Sequence, residues 1–338
     1  MEVNLISDTA TRPTPAMREA MFAAPVGDDV FRQDPSVNEL EAYAAQLFGM
    51  ESALFCPSGT MTNQLAIKVH TAPLDEIICE EKSHVYQYEG GVYSLISNVS
   101  VQLLRGERGK ILPGQIGAAV KPEYDWLPRS RLVVLENTCN KGGGSFYTLE
   151  EAEALVREAR QHRLAVHLDG ARIFNALAET GEEPAGWGAL FDTISICLSK
   201  GLGAPVGSLL LGPKQLIDQA RRFRKVLGGG MRQAGYLAAA GLYALQNHRE
   251  RLAIDNRRAR ELGACLHRLT YVEKVEPVQT NICIFHLADR TAEAFLRQLA
   301  DAGVAATPFG PHTVRFTTHL DVSQQEVDYV IDLLPRLA

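Results

Sequence analysis

Residues 166–176, VHLDGARIFNA, and residues 195–210, SICLSKGLGAPVGSLL, decide the fold when read together. In each, a short run apolar on both faces stops at a chemically active side chain. Leu164–Asp169 ends on Asp169, and Thr193–Leu198 runs into Ser199 and Lys200. Runs of this kind are strands buried on both sides in a mostly parallel sheet. Ser52–Cys56, Glu76–Glu80, Arg131–Glu136 and Ser208–Leu211 read the same way, with amphipathic stretches between them. Strand–helix alternation from about residue 50 to residue 212 predicts an α/β fold built on an open, doubly wound sheet. Ligands of such sheets lie in the crevice at the carboxyl ends of the strands, where Asp169 and Lys200 are expected.

Helix starts are legible outside these runs. Ser36-x-x-Glu39 precedes Leu40, Tyr43, Ala44, Leu47 and Phe48 on one face, with Gly49 as the stop. Thr148-x-x-Glu151 and Ser323-x-x-Glu326 repeat the device, and all three predict capping boxes. After the turn Gly228-Gly229-Gly230 the pattern changes. A mostly helical region from Arg232 to about Leu269 leads to strands near Asn281–Leu287 and Thr313–Thr318 that flank a helix at Thr291–Gly303. The expected organisation is an N-terminal arm (1–14) that joins the active site, a large domain (15–249) and a small α+β domain (250–338).

Bulk properties narrow the function classes. Thirty-four basic and forty acidic side chains in 338 residues leave a net charge of −6 with no Lys/Arg-dense run, which argues against nucleic acid or an anionic membrane as partner. The cysteines, Cys56, Cys79, Cys139, Cys197, Cys265 and Cys283, form no CxxC pair and read as reduced thiols of a cytoplasmic protein. The opening MEVNLISDTATRP lacks the basic and apolar regions of a signal peptide, and runs such as LVVL are too short to span a bilayer. The histidines show no HExxH-type pairing, so no catalytic metal is expected, and KGGGS at 141–145 lacks the order of a phosphate-binding P-loop.

The pair Asp169 and Lys200 suits pyridoxal 5'-phosphate. That cofactor needs a lysine amine for covalent attachment and a carboxylate that keeps its pyridine nitrogen protonated. LFCPSGTMTNQLA (54–66) turns from a strand through Pro57-Ser58-Gly59 into a helix opened by Thr60. Amides at such a helix start, with nearby hydroxyls, form a phosphate site, and Gly59 permits close backbone approach. In SHVYQYEGG (83–91), His84 offers a ring that can stack on a cofactor and move protons. Arg172, three residues past Asp169, and Arg315, in the apolar strand TVRFTT, are candidate forks for an amino-acid carboxylate, with an ion pair as the structural alternative for Arg315.

These residues resemble the low-specificity L-threonine aldolases of the β-eliminating-lyase superfamily, which share the aspartate-aminotransferase-like fold type I. The likeness covers nearly the whole chain, through SDTATRPTPAMREAM (7–21), APVGDDV (24–30), SICLSKGLGAPVGSLLLG (195–212), RKVLGGGMRQAGYLAAAG (224–241) and VRFTTHLDVS (314–323). It implies release of an aldehyde from a β-hydroxy-α-amino acid to leave glycine, as part of amino-acid metabolism. By the same resemblance Lys200 is the Schiff-base lysine, Asp169 meets the pyridine nitrogen and His84 stacks on the ring. Ser58, Gly59 and Thr60 hold the phosphate beside Ser199, while Ser7, Arg172 and Arg315 hold the substrate carboxylate. The family implies homotetramers, dimers of dimers with shared active sites, into which Lys225 and Arg232 reach from the neighbouring subunit. Two positions depart from the family pattern: Trp126 and Cys139 stand where many members carry His. Trp126 is therefore expected beside the substrate hydroxyl, with packing in the loop before Arg131–Glu136 as the structural alternative, and His84 or a water it orients is expected as the base. Other chemistry on this scaffold, β-elimination or amino transfer, would produce a keto acid instead.

Overall fold

The computed structural model describes residues 1–337, so Ala338, the last residue of the expected small domain, lies outside the described residues. Strand β1 (Val3–Asn4) belongs to the N-terminal arm. The central sheet comprises β2 (Ser52–Cys56), β3 (Asp75–Glu80), β4 (Ser100–Leu104), β5 (Arg129–Glu136), β6 (Ala165–Asp169), β7 (Thr193–Cys197) and β8 (Ser208–Gly212). Their order is β2-β8-β7-β6-β5-β3-β4, and only β8 runs antiparallel to its neighbours. The six runs read from the sequence are all strands of this sheet. The strand that sequence reading missed is β4, an edge strand whose SVQLL residues are exposed or half-buried except Leu104. It therefore lacks the two-sided apolar run that marks the others.

Period-two alternation divides each strand between two covered faces. In β5, Val133 and Leu135 enter one buried cluster with Phe48, Leu155 and Trp187. Leu132 and Val134 point the other way, into a cluster with Ile67 and Val85. Helices thus cover both faces, which leaves the strand ends as the place where polar groups can gather.

The second sheet is antiparallel. After β9 (Val272–Val275) and β10 (Ile282–Leu287) come β11 (Val304–Ala305), β12 (Thr307–Gly310) and β13 (Thr313–Thr317). The order is β12-β13-β10-β9, while β11 pairs in parallel with β1 and so ties the arm to this unit. The helix expected at 291–303 is present as Ala292–Asp301. The region 232–269 is two helices, Gly235–Asn247 and Leu252–Leu266, and at the break His248 Nδ1 donates to the Leu202 carbonyl at 2.7 Å. No helix among the described residues is long and apolar enough to cross a membrane. All six cysteines are buried and free.

The capping boxes at Thr148/Glu151 and Ser323/Glu326 form as read. The one at Ser36/Glu39 does not. The helix Pro35–Phe48 is capped by Asp34, and Pro35 takes the first turn, where a missing N–H costs nothing. Ser36 Oγ instead donates to the Pro25 carbonyl at 2.7 Å. The fully buried Asp34 carboxylate accepts from Val37 N (3.1 Å), Gly27 N (3.2 Å) and Gly235 N (2.9 Å), closing two loops onto one helix start. Asp34→Ala is therefore expected to cost about 2–4 kcal/mol, since it orphans buried donors of a charged acceptor, against about 1 kcal/mol for Ser36→Ala. Urea unfolding of the two variants checks this, and equal losses would contradict the observed cap.

Candidate active site

Parallel register brings the ends of β5 and β6 together, with Glu136 paired to Asp169 and Asp169 paired to Ser195 of β7. Asp169 is 3% exposed. Its carboxylate accepts from Asn63 Nδ2 at 2.8 Å and from Ala171 N at 3.2 Å, and it forms no ion pair with Lys or Arg among the described residues. Asn63 reaches in from the helix Gly59–His70. Its second amide hydrogen goes to Glu89 Oε1 at 2.9 Å, and its oxygen lies 3.2 Å from His167 Nε2. Burial pushes the His167 imidazole down to about 4, so it is neutral and supports the amide as a plain donor.

The same helix begins at Ser58, Gly59 and Thr60, where the sequence reading expects a phosphate. Ser58 caps it, accepting from Met61 N at 3.2 Å, so the leading amides of Gly59 and Thr60 are left at the helix start. A Cβ on Gly59 would lie 2.6 Å from Cys197 Sγ. Only glycine lets this helix start abut β7 just before Ser199 and Lys200.

His84 opens a short helix after β3, and its backbone N–H donates to Glu136 Oε2 at 2.7 Å. Its ring nitrogen Nδ1 lies 2.9 Å from Glu89 Oε1. Burial works against the imidazolium. The Glu89 hydrogen bond and the negative charges of Asp169, Glu89 and Glu136 outweigh it and hold His84 above its ordinary pKa. Glu136 is itself raised to about 7, by burial and by the Asp169 charge beside it, against two backbone donors, Asn140 and His84.

A cavity of about 340 Å³ opens over these strand ends, lined by Ser7, His84, Tyr88, Arg172, Lys200 and Arg315 among others. Lys200 follows β7 directly, and its carbonyl accepts from Thr11 Oγ1 at 2.9 Å, so the arm grips the lysine segment. The two arginines differ. Arg172, expected with an open fork, is closed on Asp8: Nε donates to Oδ2 at 2.6 Å and Nη2 to Oδ1 at 2.7 Å. Arg315 has no carboxylate partner, since Nη1 donates to Asn140 Oδ1 (2.9 Å), Nη2 to the Ile6 carbonyl (3.0 Å), and Nε is buried without a partner. Burial and the neighbouring Arg172 charge bring it down to about 10, which still leaves it cationic at neutral pH.

Three expected site positions lie elsewhere in this chain. Trp126 is 77% exposed and stacks flat on Tyr124, ring centroids 4.7 Å apart, outside the cavity. It sits in a turn three residues before β5, at the amino end of that strand. Lys225 is exposed, and Arg232 pairs with Asp28 at 2.9 Å, so neither lines the cavity of its own subunit. Cys139 is buried, with Sγ donating to the carbonyls of Gly109 and Glu136. Sequence reading missed Asp8, Asn63, Glu89 and Glu136. Consecutive polar residues Thr62, Asn63 and Gln64 inside an otherwise buried helix were the available signal for one of them. His84, Glu89 and Asp169 hold their ligating atoms within 4.8 Å of one another, and Asn63 bridges the two carboxylates of that group.

Residues 4–290 match the family described as Beta-eliminating lyase. Over 335 residues the chain is 40% identical to the low specificity L-threonine aldolase of Escherichia coli (strain K12), covering 96% of each. Over 337 residues it is 37% identical to low-specificity L-threonine aldolase 1 of Arabidopsis thaliana, covering 97% of this chain and 94% of that one. The solved structure of Leishmania major threonine aldolase superposes with a TM-score of 0.86 at 21% identity, covering 99% of this chain and all 100% of the other, a likeness of fold. The fold is the aspartate-aminotransferase-like α/β architecture anticipated above. The chain belongs to the Beta-eliminating lyase family, among the low-specificity L-threonine aldolases.

Proposed function

We propose that this chain is a pyridoxal-phosphate-dependent lyase that cleaves L-threonine, L-allo-threonine and related β-hydroxy-α-amino acids to glycine and an aldehyde. The observation that carries the reading is the convergence of Ser7, His84, Arg172, Lys200 and Arg315, from five separate segments, on one cavity at the strand ends. The residues present fit the cofactor. Asp169 is a buried carboxylate that receives only neutral donors and has no Lys or Arg partner, so a protonated pyridine nitrogen would complete it. The amides of Gly59 and Thr60, with the hydroxyls of Ser58 and Thr60, would receive the phosphate, and Lys200 beside Ser199 would carry the cofactor's aldehyde carbon.

Bound there, the cofactor supplies an electron sink for the breaking Cα–Cβ bond. The rest falls to the chain's own groups. Arg315, the cation without a carboxylate, holds the substrate carboxylate, with Ser7 and the unoccupied edge of Arg172 beside it. His84 takes the β-hydroxyl proton, directly or through a water, and is the only imidazole that lines the cavity. Such general-base help is worth roughly 10²–10⁴ in rate. Cys139 does not take over that role: burial raises its thiol well above the ordinary value, and its hydrogen goes to backbone carbonyls.

The reading extends to assembly and place. A homotetramer with shared sites is supported by Lys225, exposed beside Val226 (80% exposed), Val30 and Arg32 on a surface its own cavity does not use. Six buried, free cysteines fit a cytoplasmic setting.

The test is incubation with L-threonine and L-allo-threonine while acetaldehyde and glycine are assayed, and a keto acid as the main product would refute the aldolase reading. Lys200→Ala is expected to abolish turnover and the cofactor's visible absorbance without unfolding the protein. Arg315→Ala should lower kcat/KM by roughly 10–100-fold, the worth of one charge-assisted contact, mostly through KM. For assembly, mixed Lys200→Ala and Arg232→Ala subunits, each inactive alone, should recover partial activity. A fully active monomer by light scattering would contradict it.

A further inference from the structure

Glu89 is an enclosed acid beside the cavity, with a side chain of 0% exposure, and the reading above gives it no task. It follows the short helix His84–Gln87, and the chain turns back immediately after it at Gly90 and Gly91, whose φ angles of 63° and 67° suit glycine. That reversal aims the carboxylate inward. Oε1 accepts from Asn63 Nδ2 at 2.9 Å, Oε2 accepts from Gln64 Nε2 at 2.7 Å, and His84 Nδ1 lies 2.9 Å from Oε1.

Both carboxylate oxygens of Glu89 already accept an amide hydrogen, and a carboxylate offers only acceptors. The contact with His84 therefore requires the proton to sit on Nδ1, which leaves Nε2 as the nitrogen that can accept a proton from the cavity. We propose that Glu89 is the positioning residue for His84, holding the imidazole in the tautomer and orientation in which Nε2 serves as the base for the substrate's β-hydroxyl. The inference rests on the assignment of His84 as that base.

Asn63 extends the device. One amide nitrogen donates to both Glu89 and Asp169, so the group that orients the imidazole and the group that meets the pyridine nitrogen share one support. The charged and titratable groups around His84 are Glu89 and Tyr88 on its own segment, Glu136 at the end of β5 and Asp169 at the end of β6. Lys200, Arg172 and Arg315 line the cavity it faces. Of the acids, Glu89 alone is hydrogen-bonded to the ring.

The test compares Glu89→Gln, Glu89→Asp and His84→Phe as cofactor-loaded enzymes, with histidine-labelled NMR titration of His84 in both apo and loaded protein. Removing an acceptor carboxylate disfavours the imidazolium, so Glu89→Gln is expected to lower the His84 pKa and move the acid limb of the kcat profile down by about one pH unit. Its kcat should fall by roughly 10²-fold with KM for L-threonine little changed, and Glu89→Asp should recover part of the loss. A fallen kcat with the acid limb and the His84 titration both unmoved would overturn the proposal and leave Glu89 a packing residue. Retained kcat in His84→Phe would instead overturn the base assignment itself. In that case the NMR titration still reports whether Glu89 governs the imidazole.

Discussion

A single carboxylate, Asp8, joins the three parts of this molecule. It lies in the N-terminal arm, fully buried, and accepts from Nε and Nη2 of Arg172, just past the end of β6, and from Nδ2 of Asn281, just before β10. Burial alone would raise its pKa. The Arg172 charge and hydrogen bonds, the Lys200 charge and Asn281 overcome that and hold it well below the ordinary carboxylate range. A carboxylate lowered in the folded state contributes stability that is complete above its unfolded pKa of about 4 and is lost only in strong acid. Breaking such a pair costs about 3–5 kcal/mol, because the surviving charge stays buried and unmatched. The arm, the two sheets and the cavity between them are thus held in one relation by an ion pair that water does not reach.

The ion pair also sorts the cations of the cavity. With Arg172 matched by Asp8, Arg315 and Lys200 are the cavity cations with no ion pair among the described residues, and Arg315 is backed by a side-chain oxygen, a backbone carbonyl and the ring of Phe309, 5.1 Å from its guanidinium carbon. The opposite wall is acidic, with Asp169, Glu89 and Glu136 at adjoining strand ends and loops. Neutral donors separate those acids: the Asn63 amide between Asp169 and Glu89, and backbone N–H groups on Glu136. A cavity with unmatched cations on one side and a buried acidic wall on the other suits a bound zwitterion next to a cationic ring nitrogen.

Local chemistry explains which features were readable and which were not. Two capping boxes were legible because the capping residue and its partner lie three positions apart and bond reciprocally within one turn. Ser36 satisfied the same pattern, yet Asp34 took the cap because its carboxylate could also gather the amides of Gly27 and Gly235, contacts with no local trace in the sequence. The edge strand β4 was invisible for a related reason: one side of it lacks the burial that makes the other strands uniformly apolar. Trp126 was placed beside the substrate by resemblance alone, and within its own chain it stacks on Tyr124 outside the cavity.

By itself the sequence determined the doubly wound sheet, the strand ends that carry Asp169 and Lys200, and the glycine at the start of the helix Gly59–His70. Each of these follows from the periodicity or steric needs of a few adjacent residues. Only the tertiary structure decided what Asp8, Asn63, Glu89 and Glu136 do. Their partners lie far along the chain, Arg172 being 164 positions from Asp8 and Asp169 106 from Asn63. A buried polar group must find a partner wherever folding places one, and that choice is made by the packing of distant segments, which no local pattern encodes.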